Sequence, residues 1–306
     1  MSFLKLNGVD LYYELHGEGP PVVFIHGASG MHLSWWQQIA HMRHHFSCLI
    51  YDQRGYGRSR PTEPYNFGDG ELLYRDLRSL IDHAGFDAGK ISIVGASLGS
   101  APALHFAMEH KDRIDKLVMV CGVGGAVTPT INAGWEQRYV RMKARQQSLS
   151  TDQQQLGGAS RLGRVPPIRS AGEFERFAVA YHPYGPVGAT MHMDSPALTF
   201  LYAEIMALSG GPPTIETLPC FKSRPLTPQE AATVQFPVLV VGGSEDPLFP
   251  AEELRELGAL FPDGRTNLFV GAGHAAYYER ANRFNDLVTD FLSYGHDRAG
   301  SASRSA

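Results

Sequence analysis

Ser97 stands at the centre of Gly95-Ala96-Ser97-Leu98-Gly99, a G-x-S-x-G pentapeptide. An apolar run at 91–94 precedes it and a helical pattern at 101–109 follows. A serine on a tight strand-to-helix turn takes a strained backbone, and the neighbours two residues away on either side must lack side chains to clear it. Such a turn lifts the hydroxyl above the carboxyl edge of a sheet and aims the amide end of the next helix at the reacting centre. A hydroxyl is a poor nucleophile at neutral pH, so it needs a base, and the base needs an orienter. His274 offers the base: it closes Gly271-Ala272-Gly273-His274, directly after the strand-like run 267–270. The orienter is sought in Gly242-Gly243-Ser244-Glu245-Asp246-Pro247, where two adjacent acids follow the run 238–241. All three candidates fall at the carboxyl ends of apolar strands, where open α/β sheets place their sites. The chemistry this implies is acyl transfer through a serine.

The elements that must position these residues are legible in outline. Residues 2–7 and 11–15 read as a hairpin about Gly8-Val9-Asp10. Short continuous apolar runs at 22–25, 46–51, 91–94, 117–120, 238–241 and 267–270 lack polar alternation, as strands buried on both faces do. Between them lie helical patterns at 33–43, 70–83, 98–109, 251–260 and 277–291. This alternation predicts an α/β fold with a mostly parallel, doubly wound sheet and crossover helices on both faces. From about Gly124 to Phe236 the strand pattern stops, and helix-like segments at 133–147, 171–182 and 195–208 are separated by links such as Pro166-Pro167 and 210–213. The expectation is a core of residues 1–123 and 237–294, an inserted helical cap at 124–236, and a flexible tail at 295–306.

Composition narrows the partners. The 306 residues suit two domains or one large domain with an insertion. With 27 Lys and Arg against 31 Asp and Glu, the net charge of −4 leaves no basic footprint for nucleic acid. Three scattered cysteines, Cys48, Cys121 and Cys220, form no CxxC and fit a reducing compartment. No charged and apolar leader opens the chain, and no apolar run approaches the roughly 20 residues of a membrane span. The reading is a soluble cytoplasmic protein without nucleic-acid or membrane partners, its oligomeric state open.

Taken together, these motifs resemble the α/β-hydrolase superfamily, in the branch with a helical cap. The resemblance rests on G-A-S-L-G and G-A-G-H, on His26-Gly27 after the buried run 22–25, on Asp52-Gln53-Arg54-Gly55-Tyr56-Gly57-Arg58-Ser59 after the next run, on Glu245-Asp246-Pro247, and on the chain order Ser97, Asp246, His274. It covers the chain apart from the cap and tail. It implies Ser97 as nucleophile, His274 as base and Asp246 as its orienter, with Glu245 able to serve after a one-residue shift. It also implies an oxyanion hole from the backbone N–H groups of Ala28 and Leu98. Relatives with aspartate at the nucleophile position, the haloalkane dehalogenases and epoxide hydrolases, are disfavoured by a serine there. Ser100 stands where many relatives carry a second glycine and could crowd or hydrogen-bond near the site.

Other residues were weighed for binding. Trp35, Trp36, Trp135, Tyr139, His182, Met206, Phe249 and Tyr277, with Leu248, are candidates to line an apolar pocket over Ser97. Arg138, Arg141 and His182 could meet a substrate carboxylate, although solvated helix faces suit the arginines better. His26 reads as packing, and Asp52-Gln53-Arg54 as a brace for the loops around the nucleophile. Of His41, His44 and His45, only His41 and His45 would share a helix face, with no HExxH pattern, third ligand or carboxylate nearby to complete a metal site, and Val127 stands where a dinucleotide loop starting at Cys121-Gly122 needs glycine. No metal or organic cofactor is called for. The function expected is a serine hydrolase of carboxylic esters on a small or medium acyl substrate, with activity falling as pH drops through about 6–7, where a histidine base protonates. Cleavage of a carbon–carbon bond in an aromatic ring-cleavage product is the first alternative, lowered by Ala96 where such enzymes tend to carry asparagine; enol-lactone opening is another. Lyase or cofactor-free oxygenase chemistry carries less weight. A non-catalytic ligand receptor is the alternative of another class.

Overall fold

A computed structural model describes residues 2–6, 8–86, 88–148, 188, 191, 194–212 and 214–295. Eight strands form one sheet: β1 (Ser2–Leu6), β2 (Val9–His16), β3 (Pro21–Ile25), β4 (Ser47–Tyr51), β5 (Ile91–Ala96), β6 (Ile114–Val120), β7 (Val238–Gly243) and β8 (Gly264–Phe269). Their order is β1-β2-β4-β3-β5-β6-β7-β8. β1 with β2 and β2 with β4 are antiparallel, and every other pairing is parallel.

The central strands are apolar because both faces are covered. All six residues of β5 are buried, and they alternate between two cores. Ile91 and Ile93 join the cluster under α2 (Gly70–His83), α3 (Ser100–Glu109) and, later in the chain, the helix at Ala251–Ala259. Val94 and Ala96 join the cluster under α1 (Trp36–Met42) and the helix at Ala281–Tyr294, where Trp35, Met42, Phe284 and Phe291 are buried. α2 shows how sequence sets an element. The Asp69 carboxylate accepts from Leu72 N–H at 3.1 Å and caps the helix. Leu73, Leu77, Leu80 and Ile81 then recur at helical spacing and are all buried.

β8 departs from the run expected at 267–270. It begins at the polar Gly264-Arg265-Thr266 and stops at Phe269, leaving Val270 79% exposed. As the last strand of the sheet it pairs on one side only, so it tolerates polar residues that an apolar-run criterion passes over.

Between β6 and β7 no strand is found among the described residues. The chain leaves the sheet at a neck where Leu226 N–H donates to the Gly125 carbonyl at 2.7 Å and Val127 N–H to the Leu226 carbonyl at 2.9 Å. Beyond the neck lie α4 (Pro129–Ser148) and α5 (Pro196–Ser209). The helix at Ala251–Ala259 is α6 and that at Ala281–Tyr294 is α7. The expected helix at 171–182 and the tail from 296 onward lie outside the described residues. No described helix is long and apolar enough to cross a membrane.

Candidate active site

Ser97 follows β5 directly and holds φ at +48°, in the left-handed region that a non-glycine residue rarely adopts. The flanking glycines make this turn possible. A Cβ at Gly95 would stand 2.6 Å from the Gly99 carbonyl oxygen, and one at Gly99 would stand 2.3 Å from that of Ile25. Gly27 brings a second loop against the turn, where a Cβ would lie 3.0 Å from Cβ of Ser97. Ser100 hydrogen-bonds beneath the turn: its hydroxyl donates to the Ser97 carbonyl at 2.6 Å and accepts from Gly124 N–H at 3.0 Å.

The loops after β7 and β8 converge on that serine. His274 Nε2 lies 2.9 Å from Ser97 Oγ, and His274 Nδ1 lies 2.8 Å from Asp246 Oδ2. The other Asp246 oxygen accepts from Leu248 N–H at 2.8 Å and Phe249 N–H at 3.0 Å. Asp246 is buried while Glu245 beside it is exposed. The chain thus presents hydroxyl, imidazole and carboxylate in one line, the arrangement in which an imidazole can take a proton from a hydroxyl while a carboxylate balances the resulting charge.

The loop that carries Gly27 and Ala28 is braced from behind. Burial pushes His26 down to about 4, so it is neutral near pH 7. Nδ1 then donates to the Gly27 carbonyl at 2.8 Å, and Nε2 accepts from Gln53 N–H at 2.9 Å. Gln53 returns a side-chain bond to the His26 carbonyl at 2.6 Å. Asp52 accepts from His32 N–H at 2.6 Å, from His32 Nδ1 at 2.7 Å and from Arg58 N–H at 2.8 Å. Burial raises the Asp52 carboxyl, but these bonds outweigh it and hold the group below its usual range. Arg54 closes the brace through two 2.8 Å bonds to Asp76.

Ala28, Ser97 and Leu98 line one cavity with Arg138, Thr214, Thr217, Leu218, Phe221, Leu248 and Phe249. Its volume of about 20 Å³ accommodates roughly one water. Among the described residues, one group has metal-ligand proximity: Cys121, Asp246 and His274 each offer an atom within 4.8 Å of the others. Burial, with the Asp246 carboxylate nearby, holds the Cys121 thiol well above its usual range. A neutral thiol beside a paired imidazole and carboxylate suits packing better than cation binding.

Of the expected pocket residues, Phe249 lines this cavity and stacks on the His274 ring at 5.7 Å between centroids. Trp135 stands behind it, against Phe221 and Phe249. Trp35 is fully buried between Phe24 and Tyr277, so Trp35 and Tyr277 pack as core rather than facing a substrate. Met206 packs against the same core. Trp36 and Tyr139 are 41% and 49% exposed and are not among the residues that line the cavity. His182 and the Arg141 side chain lie outside the described residues. Arg138 corrects the expectation of a solvated arginine: it is buried, sandwiched over Trp135 and Phe249, and paired with Glu253. Its Nε also donates to the Leu248 carbonyl.

A sequence profile described as alpha/beta hydrolase fold matches residues 20–281. The chain belongs to this family. Similar proteins include the 2-hydroxy-6-oxononadienedioate/2-hydroxy-6-oxononatrienedioate hydrolase 2 of Pseudomonas putida, 26% identical over 94% of this chain and 92% of that protein. Among solved structures, a thermophilic esterase from Thermogutta terrifontis matches with a TM-score of 0.70 at 21% identity, over 94% of both chains. The enol-lactonase from Burkholderia xenovorans matches with a TM-score of 0.68 at 21% identity, over 95% of this chain and 99% of that one. At these identities the structural matches describe the fold.

Within this alpha/beta hydrolase, sequence reasoning missed Thr214, Thr217, Leu218 and Phe221, which line the cavity from a stretch without motif character. It also missed Glu279, whose carboxylate accepts from Gly273 N–H and Ala275 N–H on either side of His274. The signal for Glu279 was available only as a lone acid five residues beyond the histidine.

Proposed function

We propose that this hydrolase cleaves a carboxylic ester of a small or medium acyl substrate through an acyl-enzyme on Ser97. The observation that carries this reading is the unbroken line from Ser97 Oγ to His274 at 2.9 Å and from His274 to Asp246 at 2.8 Å. Ser97 attacks the acyl carbon as His274 Nε2 takes its proton, and the Asp246 carboxylate stabilises the imidazolium. The oxyanion is held by the backbone N–H groups of Ala28 and Leu98, each such donor contributing about 3 kcal/mol. His274 returns its proton to the departing alcohol, and water then releases the acid by the reverse roles. Residues 1–123 and 237–294 act as the catalytic core, and 124–236 as a helical cap over it.

The test is labelling with a fluorophosphonate probe and turnover of p-nitrophenyl esters of increasing chain length. Labelling at Ser97, absent in Ser97→Ala, together with ester turnover is the expected result. An unlabelled wild-type serine beside a labelled control hydrolase would overturn the reading and favour a ligand receptor. The Pseudomonas putida relative supports a second reading, carbon–carbon bond hydrolysis, against which Ala96 counts. Turnover of a vinylogous diketo acid far exceeding that of every ester would select it.

A further inference from the structure

Both ring nitrogens of His274 are engaged, one toward Ser97 and one toward Asp246. The imidazole therefore has no polar atom left with which to fix its own loop. Glu279 fixes it instead. Oε1 accepts from Gly273 N–H at 3.0 Å and from Ala275 N–H at 3.2 Å, the two amides that flank His274. Oε2 accepts from Gly273 N–H at 3.0 Å and from Gly188 N–H at 2.9 Å. Gly188 belongs to the segment between β6 and β7, 91 residues away from Glu279 in sequence.

The approach of Gly188 is close enough to demand its residue type. A Cβ there would stand 2.7 Å from the Gly271 carbonyl oxygen, 3.0 Å from Gly273 nitrogen and 3.1 Å from Glu279 Oε2. All three atoms belong to the His274 loop or to the carboxylate that holds it. Arg280 tightens the same loop by donating to the Gly271 carbonyl at 3.2 Å. One carboxylate thus gathers the loop of the candidate base and the docking point of the inserted segment.

We propose that Glu279 is a positioning residue for His274, and that Gly188 seats the 124–236 segment on the same carboxylate, so that the seating of that segment and the aim of the imidazole are set together. This rests on reading Ser97, His274 and Asp246 as a proton relay. Glu279 touches none of the three side chains in that relay; it acts through the peptide groups on either side of the histidine.

The experiment uses the full chain with Glu279→Ala, Glu279→Gln and Gly188→Ala. With ester as substrate, Glu279→Ala is expected to lower kcat about 100-fold with KM little changed, the scale of a misplacement of about 1 Å. Gly188→Ala is expected to lower kcat about tenfold by pushing its segment off the loop. Glu279→Gln, which keeps one acceptor oxygen for the flanking amides, should recover part of the loss. Amide hydrogen exchange across 271–276 should quicken in Glu279→Ala and Gly188→Ala. Unchanged kcat in both variants, or unchanged exchange in Gly188→Ala, would overturn the proposal. If Glu279→Ala does not fold, Gly188→Ala carries the test, because it adds one methyl at a residue that belongs to none of the strands. If wild-type Ser97 resists the fluorophosphonate, the esterase reading fails, and the exchange measurement still decides whether Glu279 and Gly188 hold the 271–276 loop.

Discussion

In the loop after β7, Asp246 gathers its own support: one oxygen meets His274 while the other collects the amides of Leu248 and Phe249. In the loop after β8, His274 spends both nitrogens on its partners, and a second residue, Glu279, collects the amides around it. The contrast follows from chemistry. A carboxylate has about four acceptor sites and can be hub and reactant together, whereas an imidazole in a relay has one donor and one acceptor, both spent. Each loop is also tied to the inserted segment, the first by Arg138 of α4 through the Leu248 carbonyl, the second by Gly188 through Glu279.

The harshest way to break this comparison is Asp246→Asn, which removes the charge that faces His274 while leaving an oxygen to gather the loop's amides. Asparagine can still accept from the Leu248 and Phe249 amides, but its amide side favours the wrong imidazole tautomer. The expected loss in kcat is about 10⁴-fold. Glu245→Gln, at an exposed position one residue earlier, should leave kcat unchanged. Steady-state ester hydrolysis checks both, and a large loss from Glu245→Gln would move the acid by one residue.

How much of this was readable beforehand depends on what each residue needs from its neighbours. Ser97, Asp246 and His274 declare themselves because a reactive side chain at a strand end, among glycines, is a pattern of residue types. The five strands β3 to β7 were legible for a similar reason: burial on both faces leaves an apolar run, whereas the edge strand β8 is polar at its start and only partly matched the run expected there. Arg138 was not legible. α4 has no clean apolar stripe, so nothing in its sequence says that an arginine turns inward between Trp135 and Phe249. Glu279 was invisible because its partners are backbone amides, which leave no trace in residue identity. Trp36 and Tyr139 misled in the opposite sense, as bulky rings that the fold leaves at the surface.

A milder cut separates the tie from the charge. Arg138→Met removes the bond to the Leu248 carbonyl and leaves Glu253 buried without its cation, so stability should fall by about 3–5 kcal/mol. The acid loop should loosen with it, lowering kcat about tenfold. Glu253→Gln keeps Arg138 and its bond to Leu248 while deleting the charge. It should cost less stability and spare kcat. Denaturant titration beside ester kinetics distinguishes the two, and an equal loss of kcat from both would show that the ion pair, not the Leu248 tie, holds the loop.

The smallest effect concerns the base loop's hub and appears only in the pH dependence of stability. Burial pushes the Glu279 carboxyl above its usual range, while the amides of Gly273, Gly188 and Ala275 and the charge of Arg280 oppose the shift without cancelling it. A carboxyl raised in the folded state binds its proton more tightly there than in the unfolded chain. Its contribution to stability is therefore complete below the unfolded value near 4.5 and declines as pH rises through the folded value. Glu279→Gln cannot titrate. The stability of the wild type relative to Glu279→Gln should thus decline as pH rises from about 4, by denaturant unfolding at a series of pH values up to 8. Parallel profiles for the two proteins would mean that the carboxylate is as well solvated in the fold as outside it. The loop of His274 would then have to be held by something other than a buried charge among its amides.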